Sequence, residues 1–335
     1  MDDIQYMMRA IELAKRGEGL TRPNPPVGAV LVLEDYIVAE GWHRMAGADH
    51  AERDCLNQLP PIATNLKTAT LYVTLEPCST HGRTPPCTDL ILAKGIGRVV
   101  VSVVDLNPAH AGRGLKILED AGVEVVAGVC EAEGRELIAP FEKYIVSGMP
   151  YVTLKLASTL DGKIADRQGD SKWITGAEAR ERVQAMRRRS DAIMVGAGTV
   201  RADDPSLLPR PAEGRKPWRV VIGSDIPADA KVLTDEAAEQ TLVRAGPLKQ
   251  VLEELAQRHD VMHVLCEGGG QLAAALIEEG LVDEFAFFIA PKLMGADGLP
   301  NFAQTGGLID GVKNLKFLSV EPVGNDILIK AKMEK

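Results

Sequence analysis

The sequence predicts an α/β protein built from two unlike domains. Its 335 residues, 45% hydrophobic and 25% charged, suffice for two cores at roughly 150 residues per domain. In both halves, apolar β-rich runs alternate with amphipathic helical runs, the pattern of layered α/β sheets. A Gly/Pro break, "SGMP", separates halves that share no motif, so a repeat is not expected. The predicted domains are residues 1–146 and 147–335.

The opening "MDDIQYMMRAIELAKRGEG" has a helical apolar rhythm and two early acids, unlike a basic n-region with an apolar signal core. "PPVGAVLVLEDYIVAEGWHR" predicts strands over 27–33 and 36–43 around a tight Glu34-Asp35 turn. A helix then begins near His50, and a strand over about 68–75 runs into a proline–cysteine loop. "CTDLILAKG" has helical spacing and a terminal glycine. "GRVVVSVVD", "GLKILEDAG" and "VEVVAGV" read strand, helix, strand, and "EAEGRELIAPFEKYIVSGMP" a helical connector. The second half reads as "YVTLKLASTLDGKIA", a helix over 177–189, and strands "DAIMVGAGTV" and "WRVVIGS". A helix over 248–258, strand "VMHVLCEGGG", a helix over 271–280, "DEFAFFIAP" and a terminal hairpin follow.

A net charge of −9 without a basic tail argues against nucleic acid or anionic membrane as partners. "MRRRS" at 186–190 is the only dense cationic cluster, and no apolar run is long enough to span a bilayer. A cytoplasmic location is expected. Five cysteines (55, 78, 87, 130 and 266) are an odd number thinly spread. A reducing compartment and cores of this size make structural disulfides unexpected.

"HAE" at 50–52 and "EPCSTHGRTPPC" at 76–87 carry the first chemistry. His50, Cys78 and Cys87 supply three nitrogen or sulfur ligands, one short of a structural zinc site. A catalytic zinc leaves its fourth position to water. His50 and Cys87 fall near helix starts, where partial positive charge favours thiolate, and the flanking prolines limit the loop's conformations. Glu52 is the candidate proton shuttle between a metal-activated water and a leaving amine. His-x-Glu followed by Pro-Cys is the zinc nucleobase deaminase signature, with one departure: eight residues stand between the cysteines, where the generic form has two. Cys55, Cys130 and Cys266 are expected as packing thiols. The bland alternatives are a chance "HAE" and a zinc-stabilised binding module.

"NPPVGAVLV", "HAE", "TLEPCSTHGRTPPC" and "DLNPAHAGRG" closely resemble the deaminase half of the bifunctional riboflavin-biosynthesis deaminase/reductases, where the long cysteine spacing is characteristic. The resemblance continues through "LKLASTLDGKIA", "GDSKWITG", "VGAGTVRADDPSLLPR" and "EGGGQLAAALIEEGLVDE", nearly the whole chain. It implies a cytidine-deaminase-like zinc domain followed by a dihydrofolate-reductase-like α/β domain. The implied first activity removes an exocyclic amine from a diaminopyrimidinone ribosyl phosphate, with Asn24, His43, Arg83 and Asn107 at the substrate. Amides suit ring edges and Arg83 suits a phosphate, while Asn24 and Asn107, each before a proline, equally suit turns. The chain departs from the family's common pattern at Thr80, where His is frequent, and at Leu106 in Asp105-Leu106-Asn107-Pro108, where "DPNP" is frequent.

In the second half, "CEGGGQLAAALIEEG" places a glycine triplet between strand and helix, which suits either a phosphorylated ligand on free helix N–H groups or a simple turn. The resemblance implies NADPH there, reducing the ribosyl carbon of the deaminated product. Implied cofactor positions are Ala157, Trp173, Thr199, Asp203, Ser224 and Gly269 to Ala275 (Gly269, Gly270, Gln271, Leu272, Ala273, Ala274, Ala275). Implied substrate positions are Lys155, Ser171, Arg187, Leu207, Arg210 and Glu267. Arg188 and Arg189 also read as a cationic helix end complementing its dipole, whereas Arg187 and Arg210 suit phosphate. Expected partners are small pyrimidine ribosyl phosphates, with Zn2+ and NADPH as cofactors and the chain as a homo-oligomer. The rival is a zinc deaminase with a non-catalytic, ligand-binding second domain.

Overall fold

The computed structural model describes residues 2–60, 66–81, 85–108, 110–211, 215–302 and 312–334. The chain divides into two units, Met1–Gly148 and Met149–Lys335. Helix α1 (Asp3–Ala14) is set by a capping box between Asp2 and Gln5, and it buries Tyr6, Met7, Ala10, Ile11 and Leu13. Strands β1 (Gly28–Leu33) and β2 (Tyr36–Trp42) are joined by Glu34 and Asp35, at φ 50° and 64°. Positive φ at both turn residues matches the twist of a two-residue hairpin. Helix α2 (Ala51–Leu56), β3 (Thr70–Leu75), α3 (Cys87–Lys94), β4 (Arg98–Val103), α4 (Arg113–Asp120), β5 (Glu124–Ala127) and α5 (Glu131–Ser147) complete the unit.

Its sheet runs β2-β1-β3-β4-β5. β1 is antiparallel to β2 and β3, while β3, β4 and β5 are parallel. A Cβ on Gly41 would lie 2.3 Å from the Cys55 nitrogen and 2.6 Å from the Ala51 carbonyl oxygen. Glycine thus lets α2 rest directly on the β2 backbone, which fixes the helix that carries "HAE".

The second unit comprises β6 (Tyr151–Thr159), β7 (Lys163–Ala165), α6 (Ala177–Arg189), β8 (Ala192–Gly196), α7 (Ala197–Asp203), β9 (Trp218–Ile222), α8 (Lys231–Thr234) and β10 (Thr241–Arg244). It continues through α9 (Leu248–His259), β11 (His263–Cys266), α10 (Gly270–Glu278), β12 (Glu284–Ala290), β13 (Leu299–Pro300), β14 (Leu315–Val323) and β15 (Asp326–Met333). The main sheet runs β10-β9-β8-β11-β6-β12-β15-β14. Its first six strands are parallel, and β15 and β14 close it antiparallel. Alternate residues of β8 and β11 enter opposite cores: Ala192, Met194, Val264 and Cys266 pack with α9 and α10, while Ile193, Val195 and Leu265 pack with Val200 and Val232. Cover on both faces explains why these strands read as unbroken apolar runs.

Three expectations change. "DAIMVGAGTV" is not one strand: β8 stops at Gly196, an extended N-cap, and α7 begins at Ala197. The run 151–165 breaks at a turn containing Gly162, at φ 74°. Cys130 is half-buried at φ 54° before α5, whereas Cys55 and Cys266 are core residues. All five cysteines are free. Among the described residues no helix is long and apolar enough to cross a membrane.

Candidate functional site

In parallel sheets, ligands bind beyond the carboxyl ends of the strands, and both candidate sites lie there. In the first unit β3 delivers Cys78, while His50 caps α2 and Cys87 opens α3. Arg53 of α2 holds the loop before Cys87 by donating to the Pro85 carbonyl at 3.2 Å. The ligand atoms of His50, Cys78 and Cys87 lie within 4.8 Å of one another. His50 Nδ1 is 3.5 Å from each sulfur. One ring nitrogen carries at most one proton and cannot make two ordinary hydrogen bonds to two thiols. The same spacing is the edge of a zinc tetrahedron, about 3.6 Å for Zn–N near 2.05 Å and Zn–S near 2.3 Å. The donor set therefore fits zinc.

The thiols are electrostatically unequal. Hydrogen bonding from Cys87, then from His50, holds Cys78 down at about 4 despite burial. The hydrogen bond to Cys78, together with burial, pushes Cys87 up. The Cys87 N–H also points at Cys78 Sγ, 3.4 Å away. Glu52 is 3% exposed. Burial, then the Cys78 charge, pushes its carboxyl up to about 7.

Asn24 and His43 meet beside this triad. His43 Nδ1 donates to the Asp49 carbonyl at 2.9 Å, which leaves Nε2 to accept from Asn24 Nδ2 at 3.1 Å. Burial depresses the His43 pKa, keeping the ring neutral, and its centroid is 5.5 Å from that of His50. Asn107 follows the adjacent strand, β4, with its N–H on Asp105 Oδ1 at 2.8 Å. Arg83 lies outside the described residues. Sequence reasoning assigned no role to Glu76, although it stands in "EPC"; its buried carboxylate holds the loop that carries Asn107.

The second site follows from topology. From β8 the chain passes to β9 on one side, and from β11 to β12 on the other, although β8 and β11 are neighbours. This switch point opens a crevice at the carboxyl ends, flanked by α7 with Thr199 and by the Gly268–Gly270 turn into α10. Thr199 Oγ1 lies 3.7 Å from where a Gly269 Cβ would stand. Ala273 N–H is already bonded to the Gly269 carbonyl at 3.1 Å, so the helix start offers a ligand the N–H groups of Gly270, Gln271 and Leu272. Leu272, Ala273 and Ala274 point their side chains into the core, and Ala275 packs against it.

Lys155 and Ala157 share one face of β6. Lys155 Nζ is 3.8 Å from Glu267 and 6.0 Å from the Phe288 ring centre. Arg187 forks onto Glu267 and also donates to the Leu208 carbonyl at 3.3 Å. Lys172, between Ser171 and Trp173, reaches Asp203 at 3.9 Å. Trp173 is exposed, with the Arg180 guanidinium 4.5 Å over its ring. Ser224 is exposed just past β9. Leu207 is buried in an apolar cluster at φ 62°, so only its backbone is left to face a ligand. Arg210 is exposed; its N–H donates to Gln184 and its carbonyl accepts from Arg188.

Each unit resembles a different family of known proteins. Residues 1–103 match the cytidine and deoxycytidylate deaminase zinc-binding region, and residues 150–329 match the RibD C-terminal domain. The chain is 43% identical over 352 residues to riboflavin biosynthesis protein RibD of Aquifex aeolicus, covering 98% of this chain and 97% of that one. The structure of Acinetobacter baumannii RibD superposes with a TM-score of 0.90 at 38% identity, covering 99% of both chains. A diaminohydroxyphosphoribosylaminopyrimidine deaminase/5-amino-6-(5-phosphoribosylamino)uracil reductase from Thermotoga maritima superposes at 0.88 with 38% identity, covering 99% of this chain and 98% of that one. With the deaminase match on one unit, the reductase match on the other and relatives spanning nearly the full length, the chain belongs to the RibD family of bifunctional riboflavin-biosynthesis enzymes.

Proposed function

We propose that residues 1–146 deaminate 2,5-diamino-6-ribosylamino-4(3H)-pyrimidinone 5′-phosphate. Residues 147–335 then use NADPH to reduce the ribosyl group of the product, giving 5-amino-6-ribitylaminouracil 5′-phosphate. The convergence of His50, Cys78 and Cys87 beside buried Glu52 carries the first half of this reading. The name of the Thermotoga relative supports the substrate. Bound zinc supplies a Lewis acid that makes water nucleophilic near neutral pH. Buried Glu52 is placed to hold a proton between the attacking water and the departing amine. The neutral His43–Asn24 pair orients the ring, and Asn107 and Arg83 complete the substrate contacts.

In the second unit, Gly270, Gln271 and Leu272 offer N–H groups to cofactor phosphate, with Thr199 opposite. Ala157, Trp173, Asp203 and Ser224 line the rest of the cofactor path. Lys155, Arg187 and Glu267 hold the ribosyl phosphate chain with Ser171, Arg210 and the Leu207 backbone. Free cysteines support a cytoplasmic enzyme, and the acidic balance supports independence from nucleic acid. Exposed Phe317 and Val320 on edge strand β14 support a homo-oligomer.

Ultraviolet monitoring with the diaminopyrimidine phosphate tests both halves. Deamination is expected without nicotinamide, and NADPH oxidation only after it. Deamination without any NADPH oxidation would reduce the second unit to a ligand-binding domain. Unfolding on zinc removal, in place of arrested turnover, would reduce the metal to a structural role.

A further inference from the structure

Glu76 leaves the end of β3 two residues before Cys78, and its N–H donates to the Val103 carbonyl at 2.9 Å. It therefore sits where β3 and β4 release the two loops of the deaminase site. The residue is 5% exposed, and its carboxylate faces main-chain donors. Oε2 accepts from Asp105 at 3.2 Å and from Gly112 at 2.8 Å, and Oε1 accepts from Gly114 at 2.8 Å. These donors bracket Asn107 on both sides. Asp105 extends the tether through its own Oδ1 on the Asn107 N–H. A Cβ on Gly114 would lie 2.2 Å from the Pro77 carbonyl oxygen, so the far end of the loop rests directly on the Pro77-Cys78 segment. An ionised carboxylate is acceptor-only and makes charge-assisted bonds. An amide in its place must turn its NH2 toward at least one of the donors.

We propose that Glu76 is a positioning residue of the deaminase, holding the Asp105–Gly114 loop on the metal-bearing segment so that Asn107 meets the pyrimidine at a fixed distance from the metal. It touches no reacting atom. This role rests on Asn107 contacting the substrate, as proposed above.

The test uses the full-length, zinc-loaded protein with Glu76→Gln, Asn107→Ala and the double substitution. Glu76→Gln is expected to keep zinc at the wild-type ratio and raise KM for the diaminopyrimidine phosphate about tenfold, the size of a lost charge-assisted bond. kcat should move less. The double variant should be no worse than Asn107→Ala, because both changes remove one contact. NADPH oxidation with deaminated substrate should not change. Asp105→Ala should repeat the KM effect and Asp105→Asn, which keeps the acceptor, should rescue it; this pair decides the matter if Glu76→Gln does not fold. Multiplicative losses in the double variant, zinc loss from Glu76→Gln, or an unchanged KM overturn the tether. If Asn107→Ala itself leaves KM unchanged, the assignment of Asn107 fails and the positioning role falls with it.

Discussion

Glu267 accepts both Nε and Nη2 of Arg187, at 2.6 Å and 3.1 Å. Lys155 approaches the same carboxylate to 3.8 Å. Burial works against its charge, but Arg187 and Lys155 outweigh it and hold the Glu267 pKa below the usual carboxylate range. Two cations around one anion leave net positive charge at a largely buried place, which suits a phosphorylated substrate. Glu267→Ala strands both cations, a change worth about 3–5 kcal/mol of stability when a buried pair loses one partner. The expected result is a lower unfolding midpoint and lost reduction, with zinc content and deamination kept. Arg187→Lys keeps the charge but loses the fork, so KM for reduction should rise about tenfold without a comparable stability loss. Normal reduction by Glu267→Ala would remove this cluster from the site.

Glu52 carries the second prediction. Glu52→Gln preserves shape but not the titrating oxygen, so deamination should fall ~10²–10⁴-fold, the usual contribution of a positioned acid–base group. Metal analysis should still find wild-type zinc, and NADPH oxidation with deaminated substrate should continue. Cys78→Ser and Cys87→Ser should instead lose the metal. Near-normal turnover in Glu52→Gln would assign proton transfer elsewhere.

A pH dependence of stability follows from His263. Its Nε2 lies 2.9 Å from Thr153 Oγ1 and its Nδ1 3.4 Å from Ser190 Oγ. Burial pushes its pKa down from 6.5 to about 4. Between those values the unfolded chain binds a proton that the folded protein refuses, so stability falls on acidification through this window and is unaffected above it. At pH 5 the loss is about 2 kcal/mol. Denaturant unfolding at pH 7 and pH 5 should show this loss in wild type and a smaller one in His263→Gln. Equal losses in both would place the acid sensitivity on other groups.

The metal site was legible because its chemistry is written in short motifs: three ligand types, a neighbouring carboxylate and prolines that pin the loop. The second site was not, because its parts are assembled by topology. Arg187 and Glu267 are 80 residues apart, and nothing local in "MRRRS" tells which arginine meets a glutamate; only the family resemblance singled out Arg187. The Glu76 tether spans 29 to 38 residues and ends on main-chain N–H groups, which carry no sequence signal. The start of α7 was hidden for a different reason. Gly196 suits both a strand end and a helix cap, and the apolar run before it outweighed the small residues after it.

The glycine turn before α10 gives the last prediction. Gly268 and Gly269 are glycines for different reasons, and neither has positive φ. A Cβ on Gly268 would lie 2.9 Å from Leu272 Cδ2, so that position is closed by packing. Among the described residues a Cβ on Gly269 meets only Thr199 Oγ1, at an ordinary 3.7 Å, so folding tolerates a side chain there. The space it would enter is the crevice over the free N–H groups of α10, where cofactor phosphate is proposed to sit. Gly269→Val should therefore weaken NADPH binding at least about tenfold, the equivalent of one lost charge-assisted contact, while the unfolding midpoint, zinc content and deamination stay near wild type. Gly268→Ala should show the reverse order, with stability falling first. Titration of NADPH fluorescence against both variants, beside their thermal unfolding, separates the two positions. Wild-type NADPH affinity in a folded Gly269→Val protein would move the phosphate away from this turn.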